Sequence, residues 1–145
     1  MEDADEDELY VALDWLLKRQ ETIERKLAQR HLSEGGLVLY DVSSSYYEAS
    51  HCELASYGYN RDRKKGKKEI VYGLMTDSKG VPISIQVYPG CTSDAKTIGE
   101  QVDKIKEEFK VERFVVAGDR GMLTQGQIEG LTYFSACSHI MLNGI

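Results

Sequence analysis

Apolar positions change period along the chain, and each change marks an element. From residue 5 to 31 they recur at helical spacing, as Leu9, Leu13, Leu16, Leu17, Ile23 and Leu27, which predicts one long helix. Acids crowd its start, and Arg25, Lys26, Arg30 and His31 crowd its end, as the helix dipole favours. SEGG at 33–36 breaks it. An apolar run then opens strand one over 37–43, and 44–69 is polar, tyrosine-rich and finally basic. Strand two is predicted over 69–77 and strand three over 81–89, joined by the turn DSKG at 77–80. A helix follows over 93–110, with Ser93 or Asp94 as N-cap and Ile98, Val102, Ile105 and Phe109 on one face. Strand four is 113–118, a short helix is expected at 124–131, and SHIMLNG at 138–144 reads as strand five.

The predicted order is β-β-β-α-β-α-β, an α/β chain with a mixed five-stranded sheet, flanking helices and an N-terminal helix. It is the ribonuclease H-like order, in which the first and fourth strands lie side by side and parallel. This placement gives meaning to two carboxylates. In LVLYDVSSSYY (37–47) the apolar run of strand one leads into Asp41, and in FVVAGDRG (114–121) that of strand four leads into Asp119. A carboxylate on a buried strand is costly unless something pairs with it. Asp41 and Asp119, 78 residues apart, are expected to converge on a divalent cation, Mg²⁺ or Mn²⁺. The bland reading is that each caps the turn after its strand.

Composition adds a charge pattern. The 145 residues suffice for one domain with a core, and the net charge is −6. Six acids in residues 2–8 account for all of it, leaving 18 acids against 18 bases. Six of those bases lie in RDRKKGKK, 61–68. This basic loop, Arg61, Arg63, Lys64, Lys65, Lys67 and Lys68, reads as a DNA phosphate contact or as a solvated hairpin arm. No apolar run reaches the roughly 20 residues of a membrane helix. Three scattered cysteines make no disulfide framework, and the acidic N-terminus is unlike a signal peptide, so the reading is cytoplasmic, with no membrane partner.

Three elements together resemble the catalytic core of bacterial insertion-sequence transposases of the DDE type. They are LYDVSSSYY with Asp41 and Ser43, Gly90-Cys91-Thr92-Ser93-Asp94 before the first core helix, and Asp119-Arg120-Gly121 after strand four. The resemblance covers about residues 9–144. It implies metal-dependent phosphodiester cleavage and strand transfer, with Asp41 and Asp119 as catalytic metal ligands. It also implies DNA, both element ends and target, as partner. The N-terminal helix reads as a leftover of an upstream domain, or as a helix that packs on the core and mediates self-association. Cys91 stands where the family usually has Asn. The family's third acid, a Glu on a helix after strand five, is not found here. The chain therefore reads as a core truncated at its C-terminus and inactive by itself, with 1–36 as acidic tip and helix and 37–145 as the core.

Weaker signals surround this core. Arg120 could hold a phosphate or pair with an acid. Tyr57 and Tyr59 could stack on bases or pack under the basic loop. Ser43, Ser44 and Ser45 are expected to satisfy turn backbone. His51-Cys52 and Cys137-x-His139 lack zinc-ligand spacing. Two other functions stay open: a haloacid dehalogenase-like phosphatase, which would want an acid where Ser43 stands, and a non-catalytic DNA-binding or assembly remnant.

Overall fold

The computed structural model describes residues 5–58 and 66–118, and the backbone of 140–142. Two helices come first, α1 (Glu6–Leu17) and α2 (Gln20–His31). Strands β1 (Gly36–Tyr47), β2 (Lys68–Asp77) and β3 (Pro82–Pro89) follow. Helix α3 (Asp94–Glu107) leads to β4 (Phe114–Gly118), and β5 (Ile140–Leu142) ends the series. The strands lie in the order β3-β2-β1-β4-β5. β1–β2 and β2–β3 are antiparallel, while β1–β4 and β4–β5 are parallel.

The expected long helix is two helices. The backbone leaves the α ladder after Leu17, where Arg19 N–H bonds Leu16 C=O at 2.9 Å. The Arg19 guanidinium folds back, donating to Trp15 C=O at 3.1 Å and lying 4.2 Å from the indole centroid. A capping box fixes the start of α1, with Asp5 accepting from Glu8 N–H. No α1 residue is buried, whereas Ala28 of α2 joins the core.

Alternation along the strands builds that core. Val38, Tyr40 and Val42 of β1 face the same side as Val71 and Met75 of β2 and Tyr88 of β3. Helix α3 covers this side with Ile98, Val102 and Ile105, and Phe109 just beyond it is also buried, as the sequence pattern predicts. Ser93 is the N-cap, accepting from Lys96 N–H. The β2–β3 turn also follows its sequence: Asp77 Oδ1 accepts Lys79 N–H at 2.8 Å and Val81 N–H at 2.9 Å, and Gly80 takes φ +81°. Gly73 is where Tyr40 crosses β2, since a Cβ there would lie 2.0 Å from the Tyr40 hydroxyl.

Helix α2 closes the free edge of β3. Glu24 Oε1 accepts Ile85 N–H at 3.1 Å, and Gln20 Nε2 donates to Ile85 C=O at 2.7 Å. The other Glu24 oxygen takes Lys104 Nζ of α3 at 2.6 Å, with both side chains largely buried. At the far end of α2, His31 Nδ1 lies 3.3 Å from Asp77 Oδ2. Among the described residues no helix is long and apolar enough to cross a membrane.

Candidate active site

The side of the sheet away from α3 carries the candidate chemistry. Strand β1 is longer than expected and runs on to Tyr47, so Asp41 stands mid-strand. Its side chain is exposed, not buried, because alternation turns position 41 away from the Tyr40–Val42 core face. The isolated burial cost anticipated from the apolar run therefore does not arise. Asp41 Oδ1 accepts Val42 N–H at 2.9 Å, which steadies the carboxylate. Ser43, Ser44 and Ser45, expected in a turn, are strand residues instead. The sheet continues past Asp41 because all three keep β pairing, with Tyr72, Val71 and Ile70 respectively.

Position 43 faces Tyr72 across the β1–β2 pair, and position 45 lies one step further on the same side. Ser45 Oγ is 3.2 Å from the Tyr72 hydroxyl. Hydrogen bonds from Ser43 and then Ser45 hold the Tyr72 phenol below its ordinary range, against a small opposing effect of burial. Asp41, Ser43, Ser45 and Tyr72 thus share one sheet face. Tyr72 was missed as a site residue because its only signal is its pairing with position 43, and that pairing requires the β1–β2 register.

A recess of mixed lining, which includes Val42, Val71 and Ala95, lies at the end of β1. Ser43, Ser44, Glu69, Thr92, Ser93 and Asp94 line a cavity of about 350 Å³. The Gly90–Asp94 element forms its far wall. Cys91 is exposed there, and its N–H bonds Ser56 Oγ at 2.9 Å.

The parallel pairing of β1 with β4 runs Gly36–Phe114, Leu37–Val115, Val38–Val116 and Leu39–Ala117. Asp119 lies outside the described residues, as do Arg61, Arg63, Lys64, Lys65, Arg120, Tyr59, the helix expected at 124–131, Cys137 and His139. Of the basic loop, Lys67 and Lys68 are described. Lys67 Nζ pairs with Glu48 and sits 5.9 Å from the Tyr46 ring centroid, while Lys68 is exposed at the start of β2. Tyr57 is 65% exposed.

The donors fit a hard divalent cation. Asp41 offers an accessible carboxylate, beside the hydroxyl of Ser43 on the same face. Among the described residues no three His, Cys, Asp or Glu side chains converge.

No protein-family model matches the chain. No curated protein matches it either. Among solved structures, it superposes on a Mos1 transposase paired-end complex with the left transposon end, with a TM-score of 0.47 and 12% identity, over 86% of this chain and 42% of that one. The Mos1 strand transfer complex gives 0.43 and 14%, over 83% and 41%. The mariner Mos1 paired-end complex with Mg gives 0.42 and 14%, over 83% and 43%. The chain thus spans about two fifths of the length of these proteins. The fold is defined by the strand order β3-β2-β1-β4-β5 and the parallel pairing of β1 with β4.

Proposed function

We propose that this chain is the catalytic core of a DDE-type DNA transposase with a ribonuclease H-like sheet, acting on the ends of an insertion sequence. The observation that carries the reading is the β1–β4 register. Leu39 pairs with Ala117, and each aspartate stands two residues further along the sequence. Strands that continue in this register set Asp41 beside Asp119 on the open face, since a step of two keeps the face. The two carboxylates would hold Mg²⁺ or Mn²⁺. When bound, such an ion supplies Lewis acidity to the attacking and leaving oxygens of a phosphodiester.

The chain's own residues do the rest. Val42 N–H orients the Asp41 carboxylate. Arg61, Arg63, Lys64, Lys65, Lys68 and Arg120 would neutralise DNA phosphates. Lys67 already has an internal partner in Glu48, so it would contribute less. Nothing in the observed sheet favours the phosphatase reading, whose missing acid is replaced by Ser43, hydrogen-bonded to Tyr72.

The test is Mn²⁺ binding by the chain, followed by electron paramagnetic resonance. Asp41→Asn and Asp119→Asn should each weaken Mn²⁺ binding at least about tenfold, since even loss of a supporting outer partner costs a metal site 10–100-fold. Mn²⁺ affinity indifferent to either aspartate would overturn the metal-site reading and leave the non-catalytic remnant.

A further inference from the structure

The hydroxyl cluster Ser43–Tyr72–Ser45 has no part in the buried core. It lies on the open face, with Ser43 directly opposite Tyr72 and two residues from Asp41 on the same strand. That separation is about 7 Å along the strand. The three hydroxyls carry three protons. Two internal hydrogen bonds, Ser43 to Tyr72 and Ser45 with Tyr72, engage two of them. One proton is left over, and with both serines donating to the phenol oxygen it is the proton of Tyr72. The cluster therefore presents a donor, and its natural ligand is a group with acceptors only. A phosphodiester oxygen is such a group.

We propose that Ser43, Tyr72 and Ser45 form a phosphate subsite. There Tyr72 donates to a DNA phosphate neighbouring the one held at Asp41, and so sets which phosphodiester lies over the carboxylates. This inference rests on the transposase reading. It assigns Tyr72 to binding and register, not to proton transfer.

Tyr72→Phe removes the donor and keeps the ring. The probe is a fluorescein-labelled DNA hairpin with a single-stranded 3′ extension, and a series of it with one methylphosphonate each. The variant should bind the unmodified probe roughly 3- to 10-fold more weakly, the range of one neutral hydrogen bond. The slope of log affinity on log salt should stay unchanged, because a phenol neutralises no phosphate charge. Mn²⁺ affinity and melting temperature should also stay unchanged. One methylphosphonate position should weaken wild-type binding and leave the variant unaffected, which a merely structural tyrosine would not produce. Ser43→Ala with Ser45→Ala, retaining Tyr72, should cause a smaller loss at that same position. Equal affinity of wild type and Tyr72→Phe, including the case in which neither binds the probe, overturns the subsite. If Mn²⁺ binding still depends on Asp41 and Asp119 in that case, only the subsite falls. Mn²⁺ binding that ignores both aspartates removes the reading beneath it.

Discussion

The two faces of the sheet treat the same chemical group in opposite ways. On the face covered by α3, burial pushes the phenols of Tyr40 and Tyr88 up, and Gln101 Nε2 donates to Tyr88 at 2.8 Å. On the open face, hydrogen bonds from Ser43 and Ser45 bring the Tyr72 phenol down. Tyr40 and Asp41 are adjacent in sequence, yet one is 3% exposed and the other open to solvent. A strand divides labour by parity: Val38, Tyr40 and Val42 hold the fold, and Asp41, Ser43 and Ser45 carry the polar chemistry of the other face. Substitutions on the two faces should therefore report on different properties.

The largest separation is expected between Phe114→Ala and Leu74→Ala. Phe114 is 2% exposed, so its truncation should cost about 3–5 kcal/mol in denaturant unfolding. Leu74 lies beside Asp41 on the open face at 38% exposure, and its truncation should cost about 1 kcal/mol or less. Equal losses would mean that the open face is covered in solution.

Gly73→Ala should come next, at roughly 1–3 kcal/mol, because the added methyl meets the Tyr40 ring. Combining it with Tyr40→Leu should recover part of the loss, a coupling that a double-mutant cycle measures. Additive losses would show that the Tyr40–Gly73 contact is not what makes Gly73 necessary.

A smaller effect should depend on pH. Hydrogen bonds from Val81 N–H, then Lys79 N–H and His31, hold Asp77 below its ordinary 3.8 despite the opposing effect of desolvation. A lowered folded value means that the carboxylate adds stability above about pH 4, and that this is lost as pH falls through the folded value. Asp77→Asn should lower the melting temperature at neutral pH, and the difference from wild type should shrink in acid. A difference that persists unchanged into acid would trace to packing rather than ionisation.

The smallest change in stability is expected at Asp41→Asn, within about 0.5 kcal/mol, as for an exposed position, and at half-buried Tyr72→Phe, where the ring is kept. Phenolate absorbance during an alkaline titration sharpens the contrast of the faces. The earliest-ionising tyrosine component should vanish in Tyr72→Phe, while the latest should remain. Loss of a late component instead would assign Tyr72 to the wrong face.

Much of this was legible in the sequence where one period dominates. The α3 face follows from Ile98, Val102, Ile105 and Phe109, and the DSKG turn from Asp77 and Gly80. The break between α1 and α2 was not legible, because the apolar spacing runs through it and the interruption depends on Arg19 folding onto Trp15. The extension of β1 through three serines was hidden for a related reason. Serine favours turns locally, and only pairing with β2 overrides that preference. Asp41 was found by the run that precedes it, but its exposure follows from the parity of a strand whose end was misplaced. Tyr72 could not be found without a register, which is a property of two segments rather than one.

The latch on Ile85 has a consequence for handling the protein. Strand β3 is an outer strand of the sheet, and its unpaired backbone would otherwise offer a template for another chain. Glu24 and Gln20 occupy its N–H and C=O at Ile85, and Lys104 ties Glu24 to the opposite helix. Ile85 and Val87 beside it are 48% and 44% exposed, a β-prone apolar stretch. Trimming the N-terminal helices to reach a minimal core would uncover both the edge and this stretch. Such a shortened protein should precipitate or form fibrils at concentrations where the full chain stays dispersed.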